Sequence, residues 1–340
     1  MRTLTPRKLI EIFCSLALAT GILYWMYRDF PFSQVSDTLY HGIHWDWMLF
    51  SLLFGILPQI LRGLRWRQAL EPLHEYPSRR NCISAVYMSF AASLIIPRIG
   101  EISRCATLKK MEGTSFPISL GTVVTERIID SALVLLILFV TFVCELPAFL
   151  RFFGTIGFTA DSFFEKFSVG GITISLICLT LIIGGLIYIF YRLKTFNKFQ
   201  DVFKKFTQGL ASVRQVHSIP LYIFYSISIW VCYFLHFFLA FYAFDFTSHL
   251  GIHAGLLAFC MITVAVLVPT PNGAGPWHFA VKVVLMQFSI SVADAILFAL
   301  IVHALQTLLV IVLGIYGYLT LTLSGHRSQA GTHIENHKTI

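Results

Sequence analysis

Three short stretches of this chain place ionisable groups among aliphatic and aromatic residues. The first is IIPRIGEISR, Ile95–Arg104, with Arg98, Glu101 and Arg104 spaced three apart around the helix-breaking Pro97 and Gly100. The second is TERIID, Thr125–Asp130, in which Glu126 and Asp130 stand at i, i+4 on one helix face, beside Arg127. The third is PTPNGAGPWHF, Pro269–Phe279, where Pro269, Pro271, Gly273 and Gly275 interrupt an apolar run ahead of His278, and Lys282 follows at i, i+4. Charges in such settings are costly unless paired or hydrated, so they mark ligand sites, ion or proton paths, or internal ion pairs. The helix that restarts after Pro97 holds Glu101 near its N-terminus, where a carboxylate suits the helix dipole. The backbone amides freed around Pro269–Gly275, with the next helix start, suit an anion. Each stretch also has a plainer reading: an interfacial loop with ordinary salt bridges, an ion pair that fixes helix packing, and a structural kink.

The elements that must position these groups are membrane helices. Of 340 residues, 56% are hydrophobic and only 12% charged, about half the charged share of a soluble domain. Full spans are expected at Leu9–Tyr27, Trp45–Leu61, Pro117–Leu146, Gly171–Tyr191, Ile219–Phe244 and Ala293–Leu323. Leu9–Tyr27 follows a basic N-terminus, lacks a small-residue cleavage site and ends in an aromatic belt, so it reads as a retained first helix.

Loop charge then sets orientation. The N-terminus, Arg62–Arg80, Arg192–Arg214 and the tail are rich in Lys and Arg and should be cytoplasmic, whereas Arg28–His44 and Asp245–Gly251 should be external. Counting crossings forces Asn81–Phe116 to begin and end inside, and His249–Val292 to begin and end outside. Each has an apolar arm, a proline-glycine break and a second, less apolar arm. The expected fold is an all-α polytopic membrane protein with about six spans and two opposed broken or re-entrant hairpins, in the manner of an inverted repeat. It forms one transmembrane domain over 1–325 and a cytoplasmic tail over 326–340. Segment 192–218 is expected to be an amphipathic cytoplasmic helix, with Phe196, Phe199, Phe203 and Phe206 on a membrane surface.

Other chemistries find little support. The seven cysteines are scattered without a CxxC pair, and no disulfide framework or metal is expected. Asp245, His249 and His253 have a metal-capable spacing but read better as a hydrated interface, and His236 and His303 as packing residues. The net charge of +8 sits in short loops, where anionic headgroups account for it better than nucleic acid does. No phosphate-binding Gly-rich loop, HExxH or GxSxG occurs, so no cofactor and no enzymatic activity are expected.

LRGLRWRQAL (Leu61–Leu70), IIPRIGEISR, TERIID and PTPNGAGPWHF, in this order, resemble the lysylphosphatidylglycerol synthase transmembrane-region family, also described as flippase-like or UPF0104 membrane proteins. The resemblance covers roughly Leu9 to Leu323. It implies a bacterial inner-membrane lipid translocator moving an anionic or aminoacylated phospholipid, or an isoprenoid-linked lipid. On that reading Arg98, Arg104, Arg127, His278 and Lys282 would engage the headgroup. Glu101, Glu126 and Asp130 would balance those charges, or bind an amine or a coupling proton. Many relatives carry another glycine where Asn272 stands and an acid about where His278 stands, so the headgroup can differ. The soluble aminoacyl-transferase part of fused members is absent from this sequence. Two rival readings are an integral-membrane transferase acting on a polyprenyl lipid and a non-catalytic partner of an envelope-lipid synthase. The oligomeric state stays open.

Overall fold

The computed structural model describes residues 6–28, 30, 35, 38–40, 42–144 and 197–336, and every regular element among them is helical. The ten longer helices are α1 (Pro6–Tyr27), α2 (Trp45–Leu70), α3 (Arg79–Ile95), α4 (Ile99–Glu112), α5 (Phe116–Cys144), α6 (Asn197–Ala211), α7 (Ile219–Leu239), α8 (Ile252–Ala265), α9 (Pro276–Gln287) and α10 (Val292–Asn336). Four stretches are long and apolar enough to cross a bilayer: Trp45–Leu73, Phe116–Cys144, Ile219–Ala243 and Val292–Leu323. The chain is therefore an all-α polytopic membrane protein. The linker Leu146–Gly170 and the span expected at Gly171–Tyr191 lie outside the described residues.

The first break makes a hairpin. Ser78 caps α3 by accepting from the Asn81 amide, and Gly113 at φ 71 ends α4. Glu112 ties the two open ends together, accepting from the Ser78 amide and hydroxyl and from Asn81 Nδ2 at 3.1, 2.8 and 2.6 Å. The arms hold 17 and 14 residues. At ~1.5 Å per residue neither covers a ~30 Å hydrocarbon core. The second hairpin pairs α8 with α9, of 14 and 12 residues, on either side of the predicted proline-glycine break. Ser291 then opens α10 by accepting from the Asp294 amide.

Each hairpin has its own apolar cluster. Trp66, Cys82, Val86, Cys105, Leu108 and Val123 bind the first to α2 and α5. Phe241, Phe244, Leu257, Leu285 and Phe298 bind the second to the turn that follows α7 and to α10. Lipid tails are as apolar as these side chains, so close backbone approach and internal hydrogen bonds must carry much of the association. The crossing of α5 and α6 shows it. A Cβ on Gly121 would overlap the Phe206 carbonyl and lie 2.9 Å from the Gly209 Cα. Within segment 192–218 the described helix is α6, which is docked on α5 around Gly209.

One predicted boundary is wrong. Loop charge puts Arg62 and Arg65 in a cytoplasmic loop after a span ending at Leu61, but α2 continues through them to Leu70. Both are buried, and their partners explain why.

Candidate functional site

Three elements bring charge together, the last third of α2, the first tip with α4, and the first half of α5, and the uncharged tip of the second hairpin faces them. Arg62 and Arg65 each donate to Asp130, to Oδ2 and Oδ1, at 2.8 Å, and Arg65 also donates to Ser226 Oγ at 3.0 Å. Arg104 donates to Glu126 Oε2 at 2.7 Å, and its guanidinium lies 4.7 Å from the centre of the Trp66 ring. Trp66 is held in turn by donating Nε1–H to Thr122 at 3.0 Å. Arg127 stands 3.1 Å from Asp130 and 3.5 Å from Glu101. Glu126 and Asp130 share a face as their spacing predicts, and that face turns inward onto arginines.

At the first tip Arg98 adopts φ 62 and reverses the chain. Gly100 follows because nothing larger fits: a Cβ there would overlap the Ser89 carbonyl and come within 2.5 Å of Ser93 Oγ. Ser93 Oγ accepts the Gly100 amide at 3.2 Å, satisfying one of the free N–H groups at the α4 start. At the second tip Asn272, Gly273 and Gly275 adopt φ 53, 71 and 91. Asn272 is anchored on α10, donating Nδ2–H to Thr307 at 2.7 Å and accepting from His303 Nε2 at its carbonyl. The tips meet where Arg98 Nη2 donates to the Leu267 carbonyl at 3.4 Å.

Between the tips lies a cavity of about 400 Å³. Pro97, Arg98, Gly100, Glu101, Arg104 and Arg127 line one side, with Arg62 behind them; Pro269, Thr270, Asn272 and Gly273 line the other. Arg127 and Glu101 are 38% and 42% exposed and reach the space, whereas Arg104, Glu126 and Asp130 are buried in its wall. Among the described residues, Arg62, Arg65, Arg98, Arg104 and Arg127 face Glu101, Glu126 and Asp130, an excess of two positive charges. Four donors of lining residues lack a hydrogen-bond partner: Arg62 Nε, Arg104 Nη1, Arg127 Nε and the Thr270 hydroxyl. Buried donors left unmet cost ~1–3 kcal/mol each, and the excess of positive charge favours an anion in this space.

The match to the family model for the lysylphosphatidylglycerol synthase TM region runs over residues 12–314, nearly the whole chain. The chain belongs to this family. Neither a curated protein nor a solved structure matches it.

In this lysylphosphatidylglycerol synthase TM-region protein the predicted site residues separate into groups. Arg98, Glu101, Arg104 and Arg127 line the cavity, and Glu126 and Asp130 hold the arginines behind it. Of the helix breaks, Pro97, Gly100, Pro269 and Gly273 line it, Pro271 does not, and Gly275 lies against Ile22 of α1. His278 and Lys282 lie elsewhere. The His278 ring is buried against Tyr27 and His303 and accepts the Gly275 amide at Nδ1, while Lys282 Nζ lies 5.6 Å from the centre of the Trp25 ring on α1. Sequence reasoning missed Arg62, Arg65 and Thr270. Two carboxylates on one face of α5 were the signal that arginines spaced i, i+3 on α2 should answer them. Asp245 hydrogen-bonds His44 at 2.7 Å, and no group of three potential metal ligands occurs among the described residues.

Proposed function

We propose that this protein translocates an anionic lipid headgroup across the bacterial inner membrane, with both termini cytoplasmic and without catalysis or a cofactor. The observation that carries this reading is the net-positive cavity between two broken hairpins, lined by Arg62, Arg98, Arg104 and Arg127. A charged headgroup in bare hydrocarbon loses its hydration, and a path lined by guanidinium and hydroxyl donors replaces that hydration in part. A second cavity of about 320 Å³ shares Arg62, Phe90, Arg127 and Val266 with the first and is walled by Trp230, Phe237, Phe259 and Ile262. It gives the glycerol backbone and first methylenes an apolar surface while the chains remain in the bilayer.

The aminoacylated alternative is less favoured. Every carboxylate at the charged cavity already faces an arginine, so a lysyl amine would have to displace one.

The test is headgroup transfer in proteoliposomes carrying fluorescent phosphatidylglycerol, with outer-leaflet probe scored by dithionite. Wild type should scramble or move the probe, and Arg98→Ala should not, with both proteins eluting as folded species. Wild-type transport retained in Arg98→Ala would remove that arginine from the path. A divalent-metal-dependent transfer reaction without lipid movement would favour the transferase reading. Intact in-cell phenotypes for Glu101→Gln and Asp130→Asn, with no lipid movement, would favour the assembly-partner reading.

A further inference from the structure

Behind the second tip lies a pair of imidazoles that the charged cavity does not use. His278 of α9 and His303 of α10 are both buried, with ring centres 4.4 Å apart. Trp277 lies against both, 5.5 Å from His278 and 5.1 Å from His303, and Tyr27 of α1 stands 5.9 Å from His278. Packing alone would be served by apolar rings, whereas an ionisable side chain at membrane depth marks a proton, ion or ligand path.

Each imidazole braces one residue of the tip that has a positive φ. His303 Nε2 meets the Asn272 carbonyl at 3.1 Å. A carbonyl only accepts, so this nitrogen carries a proton, and Nδ1 of the neutral ring is an acceptor. His278 Nδ1 accepts from the Gly275 amide at 3.4 Å, so the proton of that neutral ring sits on Nε2. A proton added at His303 Nδ1 would keep and strengthen the Asn272 bond. One added at His278 Nδ1 would oppose the Gly275 N–H and free that side of the tip. Two imidazolium ions this close repel, so the pair takes one proton and not two.

The surroundings decide when that proton binds. Tyr27 faces the pair from α1, and Tyr233 and His236 of α7 stand across a polar space of about 210 Å³ that His303 also lines. Among the described residues lining that space there is no Lys, Arg, Asp or Glu. On the adjoining helices, α8 carries His253 and Cys260, Lys282 of α9 lies over Trp25, and Asp294 of α10 bonds Ser291. Asn272 borders both this space and the charged cavity, where Arg62, Arg98, Arg104 and Arg127 stand. Those arginines oppose a further cation on the pair, and an anion placed among them removes part of that cost. Anion and proton then favour each other's binding.

We infer that the His278–His303 pair is a proton-binding site, loaded with one proton when an anionic headgroup occupies the charged cavity, so that the two cross together. The inference rests on the anionic-headgroup reading above and adds its coupling ion. His303, on the polar space, is the entry, and protonation of His278 releases Gly275 and lets the second tip move.

The experiment reads the proton apart from transport, because an imidazolium quenches the fluorescence of a tryptophan beside it. The difference in emission between wild type and Trp277→Phe in detergent is titrated between about pH 5 and 8, where histidine changes charge. Far-UV circular dichroism checks that the fold persists throughout. The difference should show one reversible step, lost in the double variant His278→Gln/His303→Gln. Short-chain phosphatidylglycerol, but not phosphatidylcholine, should raise its midpoint by about one pH unit, a tenfold tighter proton. Arg98→Ala should remove that shift. If the histidine variants fail to fold, deuterium uptake at Asn272–Gly275 of wild type carries the test, and it should rise at the acid end of the range after correction for intrinsic exchange. Absence of a step, a step that survives the double substitution, or unchanged uptake overturns the proton site. A midpoint that phosphatidylglycerol leaves unmoved, in a protein that does transfer this lipid in proteoliposomes, overturns the coupling while the anionic-headgroup reading stands. A step in a protein that transfers no lipid overturns that reading and leaves the proton site.

Discussion

Arg98 joins conformational strain to charge. Its φ of 62 lies where a non-glycine residue is disfavoured by ~1 kcal/mol, yet it is the tip residue that reaches the opposite hairpin. Arg98→Gly should therefore leave thermal stability in detergent equal or higher while abolishing headgroup transfer; a transporting glycine variant would show that the position serves only the turn. Arg104 and Glu126 follow the opposite logic, since both side chains are essentially sealed from solvent at 2.7 Å. Removing one charge strands the other, and Glu126→Gln should cost ~3 kcal/mol or more. Replacing both by methionine should cost much less than the two single changes summed, which a double-mutant cycle on unfolding midpoints would read. Outside the membrane, Asp245 holds the His44 imidazole above its ordinary pKa by a hydrogen bond. A raised pKa in the folded state means that the latch contributes below the ordinary histidine range and fades as pH rises through the raised value. The unfolding temperature of wild type should fall relative to His44→Gln across that window, and parallel curves would show the latch to be inert.

At the scale of elements, the two hairpins depend on breaks whose residues are few and specific. Gly100 is the sharpest case, because a methyl group there would strike the backbone of the preceding arm. Gly100→Ala should force the arms of the first hairpin apart, lower stability by ~2 kcal/mol or more and enlarge the charged cavity. Raised accessibility of a cysteine at Ser93 to a polar maleimide would reveal the opening, and unchanged labelling would contradict it. These breaks are legible in the sequence alone: Pro97, Gly100, Pro269 and Gly275 announce themselves by backbone chemistry, which is local. The inward face of Glu126 and Asp130 was legible too, from helical periodicity. What stayed hidden was the end of α2. Arg62 and Arg65 look like loop cations because loop charge and buried charge have the same composition. Only their partner on α5, 68 and 65 residues away, tells them apart. His278 and Lys282 were misplaced from the cavity for a related reason: helical spacing fixes the face they share, not the neighbour that face meets. Their neighbours are Tyr27 and Trp25 of α1.

For the whole molecule, the two hairpins are separate apolar bodies that touch at their tips across a charged space. A headgroup held there must gain access from each side in turn, and the hydrogen bond between the tips, from Arg98 to the Leu267 carbonyl, is long at 3.4 Å. That bond is weak enough to break during a transport cycle, whereas the Glu112 clasp at the base of the first hairpin joins three donors and should stay closed. The tips therefore should move and the base should not. Cysteines at Ile99 and Leu267, bridged by a cleavable bismaleimide, should stop headgroup transfer, and cleaving the bridge should restore it. Bridging cysteines at Ser78 and Glu112 should leave transfer intact, since those positions are already held together. Either single-cysteine protein treated with the reagent controls for modification alone. If transfer persists through a bridged tip, the headgroup must pass without separation of the hairpins. The path would then run laterally through the aromatic cavity beside Trp230 and Phe259.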